Sequence, residues 1–495
     1  MSRKSVRTRL SALTLSAAMV LSVFAGTTQT VQAKENVNYL ANENLAPGIH
    51  YSEEDITGYG TTGDRRVRMN HLSIDPSAEG VSFSTARAED TINARENILN
   101  QALRDVYQGV NVVASVNADA YNMDYGLNLG IQVRDGALLV SQPDNRYTTD
   151  TPAFFVDGDG KAHIDSLRAE ADITVGDGYT KTVGDINRNF GTHHDDPNAT
   201  AFDTLRIYTS QLTSDATMTL YQAENMADAK RAYALIRLDG FDGDLQLGET
   251  YTGTVESVSE EEGFSIPEDC IVLAGYYGDA EGVKQLEQGA AVSFTCNLYT
   301  GAYTEENGVL TDRGTECNDV TAAVNGFHLL AKDGQVNTSV VNAQVGADVN
   351  ARTVIGITAD GKVEILCVNK PGTNFSSELT TGTTFSEITD YMMEELGCVD
   401  ILNMDGGGST EMTARRAGSD SLETVSYPSD GSSRLVSNSL LIISDAPRSA
   451  DVAQVLVDGS SSLYPGSSAD YSVRLTDSSG NALDSADYSV LWSAE

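Results

Sequence analysis

Only 32 of the 495 residues are lysine or arginine, against 71 aspartates and glutamates, for a formal net charge of −39. A chain this short of positive charge repels nucleic acid and anionic lipid, and any anionic substrate needs a locally favourable site. Cysteine is scarce too. The five thiols, at 270, 296, 317, 367 and 398, are odd in number and too scattered for a disulfide scaffold, although Cys367 and Cys398 flank a predicted helix and are one candidate pair. No Cys-x-x-Cys spacing suggests zinc, the six histidines form no His-Glu-x-x-His, and the pair His193-His194 falls in the polar run Thr192–Asn198, which reads as a loop. No transition metal is expected. Past residue 33 no stretch approaches the ~18 consecutive apolar residues of a membrane span.

What is present sets the compartment first. Arg3, Lys4, Arg7 and Arg9 precede an apolar run from Leu10 to Ala25, and Val31-Gln32-Ala33 offers a small-residue cleavage site. That is the layout of a signal peptide over 1–33, which predicts a secreted or cell-surface protein whose mature chain starts near Lys34. The hydrophobic pattern is then sustained to about Asp445, so 34–445 reads as the main domain. Ala446-Pro447-Arg448-Ser449-Ala450 reads as a linker. After it, Gln454–Val457, Tyr471–Leu475 and Tyr488–Trp492 are short β-like runs spaced as in a small sandwich, so 446–495 is expected to hold a linker and an incomplete bacterial Ig-like β-sandwich module, cut within its fold.

Within the main domain the expected class is α+β, with β-rich mixed sheets and a few helices. One helix is predicted from a cap at Asp90 or Thr91, with Ile92, Ile98, Leu99, Ala102, Leu103 and Val106 on one face and Gly109 at its end. The strand Val110–Val116 follows and delivers Asn117 and Asp119. A second helix carries Phe385, Ile388, Met392 and Leu396, stops at Gly397 and leads into the strand Val399–Met404, which delivers Asp405. Two strands of one sheet would thus present Asn117, Asp119 and Asp405 on a common edge. Asp135-Gly136, Asp157-Gly158, Asp333-Gly334 and Asp360-Gly361 are hairpin signals. Asp157-Gly158-Asp159-Gly160 lacks the ligands of a calcium loop at Lys161 and Ala162 and reads as a turn.

The stretch 401–412, Ile-Leu-Asn-Met-Asp-Gly-Gly-Gly-Ser-Thr-Glu-Met, carries the strongest chemical signal. Three adjacent glycines lose much backbone entropy on folding, so they are tolerated where backbone must take unusual angles or lie close to a ligand. Backbone N–H groups at Gly406, Gly407 and Gly408, with the Ser409 and Thr410 hydroxyls, suit an anion or sugar, and Asp405 supplies a carboxylate at the strand end. The plain alternative is a hairpin loop. Carboxylates at such a site act as general acid or base at a glycosidic centre, while arginine and backbone N–H groups favour an anionic leaving group. Glu411 reads as a solvated carboxylate, and Arg434 and Asn438 fit a role in fixing the last strand as well as a role at a ligand.

Several blocks together resemble the phosphodiester glycosidase family. They are Asn117-Ala118-Asp119-Ala120-Tyr121 with Gly130, Val324-Asn325-Gly326-Phe327, Ala351-Arg352-Thr353-Val354-Ile355-Gly356, Asn403–Thr410 and Arg434–Leu440, in the expected order over roughly residues 45–445. The resemblance implies hydrolysis of a glycosyl 1-phosphodiester, with N-acetylglucosamine as one candidate sugar, in an extracellular glycan or polymer. Carried over by position, it implies Asp405, Asp119 and Arg352 as catalytic residues, with Arg352 on phosphate. It also implies that Asn117, Asn325, Gly407, Gly408, Ser409 and Thr410 contact substrate. No cofactor is expected, and no spacing proves or excludes calcium at the acidic site. A second reading of the same pocket is a non-catalytic wall- or glycan-binding protein. The segment 170–320, with Asn187-Arg188-Asn189-Phe190 near its start, is left without a role.

Overall fold

All four Asp-Gly pairs close antiparallel hairpins: Gln132–Arg134 with Ala137–Val140, Pro152–Val156 with Ala162–Val175, His328–Lys332 with Gln335–Val336, and Arg352–Thr358 with Val363–Val368. At two of them both central residues take positive φ, 51° and 80° at Asp135-Gly136 and 50° and 73° at Asp333-Gly334. This turn matches the right-handed twist of the strands it joins. The structure is a computed structural model and describes residues 36–492 apart from 61–62, 64, 125, 143–151, 189–204, 213–229, 262–264, 277, 302–303, 307–308, 371–379 and 461–462. The leader 1–33, the pair His193-His194, and Asn189 and Phe190 lie outside the described residues.

Three sheets surround one core, giving a β-rich α+β fold. An eight-stranded antiparallel sheet runs in the order Val37–Ala46, Ile49–Tyr59, Arg65–Ile74, Val363–Val368, Arg352–Thr358, Cys398–Asn403, His328–Lys332, Gln335–Val336. A five-stranded sheet runs Glu423–Thr424, Met412–Ala414, Val112–Asn117, Asn438–Ser444, Val81–Arg87. The third and largest sheet is built mainly from the segment that the sequence left without a role, and its one parallel pair among the described strands, Asp185–Ile186 beside Leu205–Tyr208, makes it mixed. Ile355 and Leu402 from the first sheet, Val116 and Leu440 from the second, and Phe154 and Val324 from the third bury against one another in a single cluster. Each such side chain contributes roughly 1.5–3 kcal/mol on leaving water, which locks the three sheets together.

The helix before Asn117 is shorter than its apolar pattern predicts. It spans Ile98–Tyr107, with the Asn97 side chain accepting from the Asn100 N–H as N-cap. Upstream, Ala88–Asp90 forms a separate 3-10 turn with positive φ at Glu89 and Asp90, so Ile92 packs with Leu127, Leu139 and Val140 and not on the helix face. The second helix, Phe385–Glu394, starts on a reciprocal capping box between Thr384 and Glu387 and buries Phe385, Ile388 and Met392 against the eight-stranded sheet. Such a cap contributes roughly 1 kcal/mol. Gly397, at φ 74°, turns the chain into the strand Cys398–Asn403.

All five cysteines are free thiols, so Cys367 and Cys398 do not pair. Near the C-terminus, Gln454–Asp458, Ser472–Thr476 and Ala482–Leu483 form a three-stranded antiparallel sheet. Tyr488–Trp492, expected as its third strand, is not one. This sheet is docked on the main body: Arg474 pairs with Asp458 and Glu43 and donates to the Ala417 carbonyl, and Gln454 bonds the Asn44 backbone in both directions. Among the described residues no helix is long and apolar enough to cross a membrane.

Candidate active site

The triple glycine joins two sheets and is not a hairpin. Cys398–Asn403 enters it from the eight-stranded sheet, and Met412–Ala414 leaves it in the five-stranded one. Asn117 and Asp119 therefore reach Asp405 from a different sheet, and not along one shared edge as the helix-strand pattern suggested. The two strand ends are tied directly, by the Asp405 N–H on the Ala118 carbonyl (3.0 Å) and the Asn117 N–H on the Glu411 carbonyl (3.3 Å). Asn117 clamps the junction: its Nδ2 donates to the Asp405 carbonyl at 2.7 Å, and its Oδ1 accepts from Thr353 Oγ1 at 2.7 Å and the Glu411 N–H at 3.1 Å. An amide engaged at both ends is a positioning group.

Gly407–Ser409 form one 3-10 turn, with Gly407 at φ 62° and its N–H on the Ala351 carbonyl at 2.9 Å. A side chain at Gly406 would press on that same carbonyl. Sterics thus account for both glycines. Gly408 has a different reason: a Cβ there would collide with the Arg434 guanidinium and the Asp430 carboxylate, which lie over it.

Asp119 is buried. Its Oδ2 accepts from the Gly130 N–H at 2.5 Å and from Asn128 Nδ2 at 3.5 Å, and its Oδ1 has no hydrogen-bond partner among the described residues. Burial, with the Asp405 charge adding to it, pushes its pKa up to about 8 against the Gly130 N–H, the Arg188 charge and Asn128. Asp405 is half-buried. Burial raises it too, opposed by the Ser409 hydroxyl, the Arg434 charge and the Gly406 N–H. Asn325 packs against Gly130, where a Cβ would strike its side chain, so it stands behind the group that holds Asp119. Asn325 Oδ1, Asn403 Oδ1, Thr410 Oγ1 and Arg352 Nε are likewise buried without partners among the described residues. Buried polar atoms are nearly always paired, and the orphans on Asp119, Asn325, Asn403 and Thr410 leave polar atoms around the turn for a ligand or water to engage.

Arg352 stands beside the turn but aims elsewhere. Its stem passes Gly406, its Nη2 donates to the carbonyls of Val345 (2.9 Å) and Asp348 (2.8 Å), and its guanidinium lies over the Phe385 ring at 4.3 Å. Burial pulls its pKa down to about 10, with Asp348 opposing. The arginine whose charge bears on Asp405 is Arg434, whose Nη1 also lies 3.4 Å from Ser409 Oγ. Asn438 fixes backbone, accepting the Asp119 N–H at 3.0 Å. Glu411 is not solvated: it is 2% exposed and accepts from Thr424 (3.1 Å) and Ser433 (2.9 Å).

Arg188, in the segment left without a role, is buried and donates to the carbonyls of Asn128, Leu129 and Ser141, bracing the loop that holds Asp119. The usable signal was scarcity: in so acidic a chain, arginines in loops beside apolar strands merit attention. Among the described residues no three His, Cys, Asp or Glu side chains gather where a metal ion could sit.

Residues 251–443 match the family model of the phosphodiester glycosidases. The chain is related to that family. The matched segment carries Asn325, Arg352, the glycine turn and Arg434, while Asn117 and Asp119 come from upstream of it. Solved structures share the fold at low identity. A hypothetical protein from Synechocystis has 16% identity and a TM-score of 0.56, with 80% of this chain and 62% of that one covered, so the chain spans about 62% of that protein's length. An inferred exported protein from Burkholderia pseudomallei has 17% identity and a TM-score of 0.59, covering 86% and 100%. The zebrafish N-acetylglucosamine-1-phosphodiester alpha-N-acetylglucosaminidase catalytic domain, auto-inhibited by its pro-peptide, has 14% identity and a TM-score of 0.38, covering 82% and 87%, too loose a likeness to argue from. No curated protein matches the chain in sequence.

Proposed function

We propose that this relative of the phosphodiester glycosidases is an exported hydrolase that cleaves a glycosyl 1-phosphodiester in an extracellular glycan or polymer. The observation that carries the reading is the pair Asp119 and Asp405, two carboxyl groups in electrostatic contact at the junction of two sheets, one held in its acid form to about pH 8 by burial. Environments that separate two carboxyl groups in this way assign acid and base. In the reaction the bond from the sugar C1 to the phosphate oxygen breaks and its electron pair leaves with the phosphate. Asp119 gives its proton to that departing oxygen, ionised Asp405 supports the positive charge developing at the sugar ring, and a water then bonds to C1 as the new hydroxyl while its released proton returns to Asp119. A phosphate is already a good leaving group, so the demand on Asp119 is smaller than for a plain glycoside.

The test is turnover of a panel of chromogenic sugar 1-phosphodiesters, starting with the N-acetylglucosaminyl one. Release of free sugar with a phosphate monoester is the expected result. A folded protein that turns over none of them is not an enzyme of this class, and glycan binding without product release would establish the non-catalytic reading in its place.

A further inference from the structure

We propose that Arg434 is the residue that receives the phosphate of the substrate, gripping it over Gly408 together with the Ser409 hydroxyl. The proposal rests on the phosphodiester reading above and names the anion subsite within it. An anionic substrate approaching a chain of net charge −39 needs a fixed cation at the reacting centre. Arg352, the sequence's candidate, has Nη2 spent on two carbonyls and its face on Phe385. Arg434 is differently placed. Its Nε edge bonds Asp430 at 2.8 Å, while Nη2 lies over the Gly408 backbone and Nη1 makes only a long contact to Ser409 Oγ, at 3.4 Å. Two Nη groups so weakly engaged match the spacing of two phosphate oxygens.

The loop that presents Arg434 is built to hold it there. Ser433, the preceding residue, donates to Glu411 Oε1 at 2.9 Å, and Glu411 is itself buried two residues past Ser409. Following Arg434, the Leu435 carbonyl accepts from Tyr121 Oη at 2.8 Å. The turn and the arginine are thus linked from both sides. Thr410 Oγ1, next along the turn, is buried without a partner among the described residues. Asp430 is the competing anion: its side chain is 45% exposed, so an arriving phosphate displaces it into water at little cost.

Gly408 gives access to Arg434 without touching it. Its φ is not positive, so alanine meets no backbone strain there, and what a Cβ would strike is the flexible end of Arg434 and the Asp430 carboxylate. Gly408→Ala should therefore push the guanidinium aside and leave the fold intact. Expected results are a fall of about 10²-fold in kcat/KM on the sugar 1-phosphodiester for Arg434→Gln and for Gly408→Ala. Arg434→Lys should restore only part of it, because an ammonium cannot bind two oxygens at once. Asp430→Asn should lower KM, by freeing Arg434 of its resident carboxylate. In parallel, a sugar 1-phosphate is titrated calorimetrically into wild type, Arg434→Gln and Gly408→Ala, each with a melting curve to show folding. If no phosphodiester is turned over but the sugar phosphate binds wild type and not the two variants, the subsite stands while the hydrolase reading falls. Unchanged kcat/KM in folded Arg434→Gln, or equal binding of the sugar phosphate by wild type and variants, or none by any, overturns the proposal.

Discussion

Asp405→Asn lowers turnover of a sugar 1-phosphodiester by at least ~10²-fold, the scale for removing a group that stabilises transition-state charge, and leaves the melting temperature close to wild type. The fold tolerates the change because the contacts that tie the sheets together at this point use the Asp405 backbone, not its carboxylate: its N–H bonds Ala118 and its carbonyl receives Asn117. Asp119→Asn loses less on the phosphodiester, whose leaving group needs little proton, and more on a plain aryl glycoside. Its pH profile separates the two roles. Asp119 works as an acid, so it contributes below about pH 8 and fails as the pH rises through that value. Asp405 works ionised, and because burial raises it, the acid limb of kcat/KM lies above the ordinary carboxylate range near ~3.9. The alkaline limb disappears in Asp119→Asn and persists in Asp405→Asn. An alkaline limb unmoved by Asp119→Asn would remove Asp119 from the proton path.

Local signals in the sequence translated well where the responsible physics is local. Asp135-Gly136 and Asp333-Gly334 close hairpins because two consecutive positive-φ residues set the turn by themselves. The helix at Phe385 follows from its apolar spacing and from Thr384 and Glu387. The first helix failed at its start because Ile92 fits the helical period yet is claimed by another cluster, a tertiary choice that spacing cannot register. The glycine turn was legible as a special backbone, but its sheet membership was not, since pairing partners such as Val116 and Met412 lie far apart in the chain. Arginine roles were the least legible. Arg352 sits in a strand beside the turn, and only coordinates show its guanidinium facing Phe385, while Arg434 reaches Gly408 from a loop with no periodicity to mark it. Glu411 was misjudged for a related reason: its partners Thr424 and Ser433 come from segments that become neighbours only after folding.

A second large effect lies away from the site, in the middle of the eight-stranded sheet. His71 is buried between carboxylates on the two adjacent strands, with Nδ1 3.3 Å from Glu54 and Nε2 2.7 Å from Glu364. Burial alone would lower His71, but the hydrogen bonds and charges of Glu364 and Glu54 raise it to about 9. Burial alone would raise Glu54, yet the His71 contact and the hydroxyls of Ser52 and Tyr391 bring it to about 2. The imidazolium therefore stabilises the fold fully below its ordinary 6.5, and that contribution is lost as the pH rises through about 9; Glu54 contributes above its ordinary 4.5 and loses its share as the pH falls toward 2. Between those limits the His71 cation sits against ionised Glu54 with the Glu364 carboxyl group on its other side, and removing it leaves the two carboxyl groups buried without it. His71→Ala should cost about 3–5 kcal/mol at pH 5.5, the scale for breaking a buried ion pair from one side, and clearly less at pH 10, where wild type has already lost the charge. Denaturant unfolding at the two pH values measures the difference. Adding Glu364→Gln to His71→Ala should recover part of the loss by removing a carboxyl group from beside buried Glu54. An equal penalty at both pH values, with no recovery from Glu364→Gln, would mean that His71 matters for the volume it fills and not for its charge.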